Sequence, residues 1–232
     1  MDTLALSEHT IALHKVNADA YEKVASTYHN LFALKPTATR VQFIQDLAKD
    51  LAPGSKVLEL GCGSGVGSKP FIERGCEVTG VEISAAQIAL ARENIPTATL
   101  VHADMMAVSF LPESFDAVVG VYSFLHLSKD NQEILISRIA EWLKPGGSLA
   151  CNFPAETFTD STLGGVTSEW LGEKMFWHSL GADGNRELLK EHGKGLKLVK
   201  DEVVVDTLDA AAAEATKGSP DEAFHWIRAI KE

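Results

Sequence analysis

The sequence predicts an α/β fold built around a parallel sheet, and two observations support this. Between Lys56 and Phe153, short β-branched runs alternate with helical stretches, as in consecutive βαβ units. Most of these runs are apolar on both faces, which is typical of strands covered by helices on both sides. Glycine and proline residues separate the segments. The five predicted strands are 56–60, 77–83, 99–103, 115–122 and 148–153.

Further segments flank these five strands. Residues 131–143 carry apolar side chains at helical spacing and predict a crossover helix. Residues 7–32 and 36–51 predict two helices ahead of the first strand. Residues 197–208 and 223–230 predict two more strands, which we expect to pair antiparallel.

One stretch, residues 154–180, fits no strand or crossover. Ligands of open α/β sheets bind outside the carboxyl ends of the strands, where an insertion after the fifth strand would emerge. We therefore expect this stretch to form a cap over the site. The predicted substrate pocket consists of Tyr28, Trp170, Met175, Phe176, Trp177 and His178.

Composition bounds the class of protein. The chain has 232 residues, of which 45% are hydrophobic and 23% charged, as in a folded globular protein. A formal charge of -11 disfavours tight binding of DNA or RNA. No apolar run is long enough for a membrane span, and the first residues lack the layout of a signal peptide, so we expect a soluble, cytoplasmic protein without membrane partners. The three cysteines are too far apart in sequence for a metal motif and predict reduced, buried thiols.

A glycine-rich turn, Gly61-Cys62-Gly63-Ser64-Gly65, follows the first strand directly. Glycine lets a ligand approach the backbone, and the helix predicted after the turn would offer unpaired N–H groups to an anion. The same pattern also suits a plain strand-to-helix turn. Val66 stands where the nicotinamide fingerprint needs its third glycine, so that class of dinucleotide is disfavoured.

Two acidic residues follow at the ends of the next two strands. Glu82 is placed to accept hydrogen bonds from the ribose hydroxyls of an adenosine ligand. Asp104 is placed to accept from an adenine amino group while Met105 packs on the base. Taken singly, Glu82 could be a strand-end charge and Asp104 a helix cap. The glycine turn and both carboxyl groups nevertheless fall at one edge of the predicted sheet.

These features resemble the class I, Rossmann-like methyltransferases. Five segments match the motifs of that family in order. Residues 57–65 resemble its first motif, 81–84 its second, 103–104 its third, 115–126 its fourth-strand motif and 143–147 the turn before the fifth strand.

The resemblance implies a doubly wound, seven-stranded sheet in the order 3-2-1-4-5-7-6, with strand seven antiparallel. It implies S-adenosylmethionine as cofactor and S-adenosylhomocysteine as product. The chain is then one domain, with a helical lid (1–52), a cofactor-binding core (53–153), the cap (154–183) and a C-terminal helix with two strands (184–232). The implied cofactor-binding residues are Tyr21, Tyr28, Glu59, Gly61, Cys62, Gly63, Gly65, Glu82, Ile83, Asp104, Met105, Val121 and Tyr122.

The reaction needs little covalent help, because a sulfonium is already an activated methyl donor and positioning does most of the work. An acceptor that loses a proton would gain from a base, for which His126 and His178 are the candidates. His126 could equally be a recurrent family residue and His178 a packing residue of the cap. No ligand set for a metal is evident, and we expect none.

Three functions remain open at this point. The first is methyl transfer to an oxygen, nitrogen or sulfur atom of a small organic molecule. The second is methylation of a protein or nucleic acid, although no Asn-Pro-Pro-Tyr or Asp-Pro-Pro-Tyr follows the fourth strand. The third is a fold relative that binds the cofactor without transferring methyl. The sequence leaves the oligomeric state open.

Overall fold

The computed structural model describes residues 8–158, 165–217 and 221–232. Within them the strands are β1 Lys56–Leu60, β2 Glu77–Glu82, β3 Thr99–His102, β4 Phe115–Gly120, β5 Leu143–Pro154, β6 Thr157–Phe158, β7 Val166–Trp170, β8 Glu173–Trp177, β9 Ser179–Leu180, β10 Leu196–Thr207 and β11 Asp221–Lys231. The helices are α1 Glu8–Tyr28, α2 Ala38–Asp50, α3 Lys69–Glu73, α4 Ala85–Asn94, α5 Lys129–Trp142, α6 Gly181–His192 and α7 Ala210–Thr216.

Seven strands form the main sheet, in the order β3-β2-β1-β4-β5-β11-β10. The first five are parallel, whereas β11 runs antiparallel to both β5 and β10. Counting β10 and β11 as strands six and seven, this is the predicted order 3-2-1-4-5-7-6 with strand seven antiparallel. The predicted fold class is therefore confirmed.

Helices bury both faces of this sheet. Side chains alternate along a strand, so Leu58 and Leu60 pack on the face covered by α5 and α6, while Val57 packs on the face covered by α2 and α3. Burying each such side chain contributes about 1.5–3 kcal/mol. The three cysteines are free and buried, as predicted.

The cap differs from its prediction because it contains short strands, all outside the main sheet. β6 pairs with β9, and β7 pairs with β8 through the two-residue turn Leu171-Gly172. Both turn residues have positive φ, 52° and 81°, which suits the right-handed twist of a tight hairpin. Leucine rarely adopts this conformation, so the sequence carried no hairpin signal here.

Another difference lies at the end of β4, which was predicted to reach Tyr122. The strand ends at Gly120, where a Cβ would lie 2.2 Å from the ring of Phe124, and the chain turns at Tyr122 with φ 54°. In the part of the chain described, no helix is both long and apolar enough to cross a bilayer.

Candidate active site

A cavity opens at the carboxyl edge of the main sheet, with about 840 Å³ of space between protein atoms, part of it open to solvent. Its wall brings together twelve of the residues proposed from sequence for cofactor or chemistry, namely Tyr21, Tyr28, Gly61, Cys62, Gly63, Glu82, Ile83, Asp104, Met105, Val121, Tyr122 and His126. Glu59 and Gly65 do not line it.

The three glycines of the turn all have left-handed backbone conformations, with φ of 76°, 53° and 77°. A Cβ on Gly61 would lie 2.5 Å from Ser123 Cβ, and one on Gly65 would lie 2.6 Å from Ile95 Cγ1. A Cβ on Gly63 would instead have no protein atom closer than 3.9 Å. Gly61 and Gly65 therefore allow close packing within the protein, while Gly63 faces open space in the cavity.

The backbone of the turn is largely occupied by internal hydrogen bonds. The N–H groups of Gly61 and Cys62 donate to Val81 O, and that of Gly65 donates to Cys62 O. A 3₁₀ turn, Val66–Ser68, and only five residues of α3 follow. The helix that was expected to bind an anion at its N-terminus is therefore short. A cationic side chain offers a different way to bind an anion here.

That cation is Arg40 of α2, which the sequence analysis missed. Arg40 lines the cavity, and its Nη2 lies 3.2 Å from where a Cβ of Gly67 would stand. Its guanidinium carbon lies 5.8 Å from the centre of the Tyr122 ring. Within the described ranges, no carboxylate oxygen lies within 4.0 Å of the Arg40 guanidinium, which is the limit for an ion pair. Arg40 comes from outside every motif, so only tertiary packing identifies it.

Glu59 lies behind the glycine turn and is buried. The hydroxyl of Ser68 donates a short hydrogen bond to Glu59 Oε2. Burial raises the pKa of Glu59 to about 7, although Ser68 and the nearby charge of Arg40 oppose that rise. Glu59 thus supports the turn from within the core.

Glu82, at the end of β2, accepts three backbone hydrogen bonds. The N–H of Gly63 donates to Oε2 and those of Ile83 and Ser84 donate to Oε1, each at 2.9 Å. Burial raises its pKa, while these three donors lower it. Because a carboxylate offers about four acceptor positions, roughly one remains for a ligand in the cavity.

Gln87 of α4 is a second residue that the sequence analysis missed. The residue is only 1% exposed, yet neither polar atom of its amide group has a hydrogen-bond partner among residues 8–158, 165–217 and 221–232. Gln87 lines the cavity, and its Oε1 is one of the atoms nearest the Cβ position of Gly63. Unpaired amides are rare in protein interiors, so this one is available to a ligand.

Asp104 has a partner that no local pattern indicated. Its Oδ1 accepts the Met106 N–H at 2.8 Å, and its Oδ2 lies 2.5 Å from Nδ1 of the buried His14. His14 belongs to α1, 90 residues earlier. Its Nε2 lies 3.3 Å from the amide nitrogen of Asn131. Contact between α1 and the end of β3 therefore closes this side of the cavity.

Two further contacts of α1 fasten it over the site. The Asn17 side chain donates to Phe176 O at 3.1 Å and accepts from Phe176 N–H at 2.7 Å. Glu22 Oε2 accepts from the Ser84 hydroxyl at 2.8 Å and from the Ala86 N–H at 3.0 Å. The helix is thereby joined to both the cap and the core.

His126 lies in a 3₁₀ turn after β4 and is buried. Its Nδ1 lies 3.0 Å from Phe176 O, so Nδ1 carries the proton and Nε2 accepts from the Tyr21 hydroxyl at 2.9 Å. Burial lowers the pKa of His126 to about 4 and raises that of Tyr21 well above its usual value. Both groups are therefore neutral near pH 7.

A second cavity of about 740 Å³ adjoins the first and shares Tyr21, Tyr28, Arg40 and Tyr122 with it. Seven of the fifteen residues that line it are aromatic. The other residues that line it are Phe32, Lys35, Pro36, Thr37, Leu125, Trp170, Trp177, Asp206, Leu208, Glu222 and Phe224.

The cap residues proposed for the substrate pocket divide into two groups. Trp170 and Trp177 line the second cavity. Met175, Phe176 and His178 are buried and line neither cavity. The N–H of His178 donates to a backbone carbonyl at 2.8 Å. A role for these three in binding an acceptor stays a prediction.

Tyr122 stands at the boundary between the two cavities in an unusual backbone conformation, with φ 54°. Its N–H donates to Asn152 Oδ1 at 2.7 Å, and its hydroxyl donates to Asp206 Oδ2 at 2.5 Å. A bulky residue in this region of φ costs about 1–3 kcal/mol, and such strain concentrates at ligand sites.

In the residues described, no group of three or more His, Cys, Asp or Glu side chains is placed to hold a metal ion. The expected absence of a metal stays a prediction.

The chain is similar to known methyltransferases in sequence and in fold. Residues 57–147 match the family described as a methyltransferase domain. A Streptomyces venezuelae protein, dTDP-3-amino-3,4,6-trideoxy-alpha-D-glucopyranose N,N-dimethyltransferase, is 29% identical over 212 residues, covering 84% of this chain and 88% of that protein. An uncharacterised methyltransferase of Anoxybacillus flavithermus is 34% identical over 96 residues, covering 41% of this chain but only 45% of that protein.

Solved structures show the same fold. The Burkholderia thailandensis 1,6-didemethyltoxoflavin-N1-methyltransferase, with 1,6-didemethyltoxoflavin and S-adenosylhomocysteine bound, superposes with a TM-score of 0.68 at 16% identity, covering 100% of this chain and 93% of that one. The 4+2 cyclase SpnF superposes with a TM-score of 0.66 at 17% identity, covering 100% and 99%. At these identities the likeness extends to the fold alone.

Proposed function

We propose that this chain, whose core is a class I, Rossmann-like methyltransferase domain, transfers a methyl group from S-adenosylmethionine to an oxygen, nitrogen or sulfur atom of a small organic molecule. The observation that carries the proposal is the junction of two cavities at Tyr21 and Tyr122, one polar and beside the glycine turn, the other aromatic. When bound, S-adenosylmethionine supplies an electrophilic methyl group on a positively charged sulfur.

The residues of the polar cavity fit this cofactor. Arg40, which has no ion-pair partner among the described residues, offers a cation beside the glycine turn for the methionine carboxylate. Glu82 retains about one acceptor position for a ribose hydroxyl. The buried amide of Gln87 lacks a protein partner. The open space at Gly63 leaves room for the ligand to touch the backbone.

Tyr21 and His126 are proposed to position the acceptor. Because the Tyr21 hydroxyl donates its hydrogen bond to His126 Nε2, the oxygen lone pairs of Tyr21 stay free to accept an N–H, O–H or S–H from the nucleophile. A base with a pKa of about 4 removes protons poorly near pH 7. We therefore assign His126 a positioning role through Tyr21, and Tyr21 the contact with the acceptor.

The lid and the cap are proposed to enclose the acceptor. α1 and the cap cover the junction of the cavities, which holds the acceptor in place and excludes water. A recessed pocket beneath a lid and a cap favours a small acceptor over a protein or nucleic acid. The names of the S. venezuelae and B. thailandensis proteins describe methyl transfer to nitrogen of small molecules, which agrees with this proposal.

The test is calorimetric titration of S-adenosylmethionine into the wild type and Glu82→Ala, with Glu77→Ala, an exposed position on the same strand, as control. We expect Glu82→Ala to lose at least tenfold in affinity, because a buried hydrogen bond to a charged group is removed. Thermal melting checks that each variant is folded. Unchanged affinity in Glu82→Ala would rule out the site.

Methyl transfer itself needs a second measurement, because the cyclase shows that the fold alone does not establish it. Release of S-adenosylhomocysteine is measured against a panel of small amines, alcohols, phenols and thiols. We expect release with at least one class. Tight cofactor binding without any release would favour a binding protein of the same fold.

A further inference from the structure

The second cavity holds a buried carboxylate that the proposed function leaves unused. Asp206 of β10 is only 2% exposed, and its Oδ2 accepts the Tyr122 hydroxyl. Its Oδ1 is buried and has no hydrogen-bond partner in the part of the chain that the structure describes. Burying a carboxylate oxygen without a hydrogen-bond partner costs free energy. A ligand that donates a hydrogen bond to this oxygen would offset that cost.

A second carboxylate stands opposite. Asp206 and Glu222 are paired residues of neighbouring antiparallel strands, and both line the second cavity. Partial desolvation of its carboxyl group and the nearby charge of Asp206 raise the pKa of Glu222, although the residue as a whole is exposed. Like charges placed opposite each other in a sheet destabilise it, which again calls for a compensating cation.

The cations of the cavity wall do not supply that compensation. Lys35 forms an ion pair at 3.2 Å with Asp209, at the exposed surface. Arg40 lies beside Gly67 and Glu59 and over the Tyr122 ring. Among the described residues, no side-chain nitrogen of Lys, Arg or His lies within 4.0 Å of the carboxylate of Asp206 or Glu222, so neither forms an ion pair.

The rest of the wall suits a positive charge as well. Seven aromatic residues line the cavity, namely Tyr21, Tyr28, Phe32, Tyr122, Trp170, Trp177 and Phe224. Aromatic faces attract ammonium groups, most strongly in sites shielded from water. The Tyr122 hydroxyl donates a hydrogen bond to Asp206, and Tyr122 also lines the first cavity. This bond therefore sets the position of the carboxylate relative to the first cavity.

We propose that the methyl acceptor carries an ammonium group, which Asp206 binds through its unpaired oxygen between aromatic rings, with Glu222 adding negative charge. Asp206 is thereby a specificity-determining residue. This inference rests on the proposed function, since it takes the second cavity as the acceptor site. It concerns the group that anchors the acceptor and leaves the methylated atom open.

The experiment uses benzylamine, protonated near pH 7, and benzyl alcohol, its neutral counterpart of similar shape, as probes. Each is titrated by ligand-detected NMR into the wild type, with and without S-adenosylhomocysteine. We expect benzylamine to bind at least tenfold more tightly than benzyl alcohol, because a charge-assisted hydrogen bond is roughly twice as strong as a neutral one and its partner is otherwise unpaired.

Asp206→Asn is the decisive variant, since its side-chain oxygen can still accept from Tyr122. We expect it to lose the tenfold preference, and Glu222→Gln, at an exposed position that should not disturb folding, to lose a smaller part of it. Glu202→Gln, which removes an exposed carboxylate of the same strand that lies outside the cavity wall, should keep the preference in full.

Three results would overturn the inference: equal binding of the two probes, no binding of benzylamine, or an undiminished preference in Asp206→Asn. Binding of S-adenosylhomocysteine, measured in the same samples, separates this failure from that of the proposed function. If S-adenosylhomocysteine binds and the preference is absent, the amine assignment alone is wrong. If S-adenosylhomocysteine does not bind while the preference persists, the carboxylate site stands and the cofactor assignment fails.

Discussion

The two cavities are built in different ways. Most of the wall of the polar cavity comes from the carboxyl ends of four neighbouring strands, between Gly61 and Leu127. The wall of the aromatic cavity comes mostly from the lid, the cap and the region of the last two strands, with Tyr122 and Leu125 added from the segment after β4. The parallel sheet brings the first set together by its topology, whereas the second set depends on how separate elements pack. The two regions should therefore respond differently to mutation.

The largest expected effect is a pair of opposite pH dependences. Glu59, behind the polar cavity, has its pKa raised from 4.5 to about 7, so the folded state holds this proton more tightly. The free energy of unfolding contributed by Glu59 therefore falls as pH rises from about 4.5 to 7, by about 3 kcal/mol.

His126, which lines the polar cavity and packs against Trp177 of the aromatic one, has its pKa lowered from 6.5 to about 4, so the unfolded state binds its proton more tightly. Its contribution therefore rises with pH between about 4 and 6.5, by about 3 kcal/mol, and nearly cancels that of Glu59.

Urea denaturation at several pH values between 4.5 and 7.5 separates the two contributions. Relative to wild type, Glu59→Gln should gain stability with rising pH, and His126→Gln should lose it. Two variants whose slopes against pH match that of the wild type would show that neither group titrates as described.

A second prediction divides the polar cavity into its two ends. Arg40→Met should weaken binding of S-adenosylhomocysteine about tenfold to a hundredfold, because a charge-assisted hydrogen bond to the carboxylate is lost. Binding of 5′-methylthioadenosine, which lacks the amino-acid carboxylate, should be unaffected. Calorimetry with both ligands measures this, and equal losses for the two would place Arg40 elsewhere in the site.

A third and smaller effect tests the junction between the cavities. Tyr21→Phe should lower kcat several-fold with the best acceptor of the panel, because the nucleophile loses the hydroxyl that orients it. Affinity for S-adenosylhomocysteine should change by less than about twofold. If that affinity fell while kcat held, Tyr21 would serve the cofactor and not the acceptor.

The sequence predicted the sheet and the polar cavity better than the aromatic one, for physical reasons. A glycine turn and strand-end carboxylates are local patterns, and parallel strands align their ends whatever the side chains do elsewhere. His14 reaches Asp104 across 90 residues, and no local pattern encodes that contact.

Asp206 did leave a signal that was overlooked. It shares the inward face of β10 with Val204, while Val203 and Val205 on the other face are half exposed. An acidic residue on the buried face of a strand is unusual enough to single out.

The central claim, that the glycine turn holds S-adenosylmethionine, is tested most directly by comparing two glycines. Gly63 and Gly146 both have left-handed φ, 53° and 81°, and neither has a protein atom closer than 3.9 Å to its Cβ position. Alanine should therefore strain the backbone similarly at both.

Only Gly63 faces the polar cavity. Calorimetric titration of S-adenosylmethionine should show Gly63→Ala at least tenfold weaker than wild type and Gly146→Ala unchanged, with both variants folded. Wild-type affinity in Gly63→Ala would contradict the account.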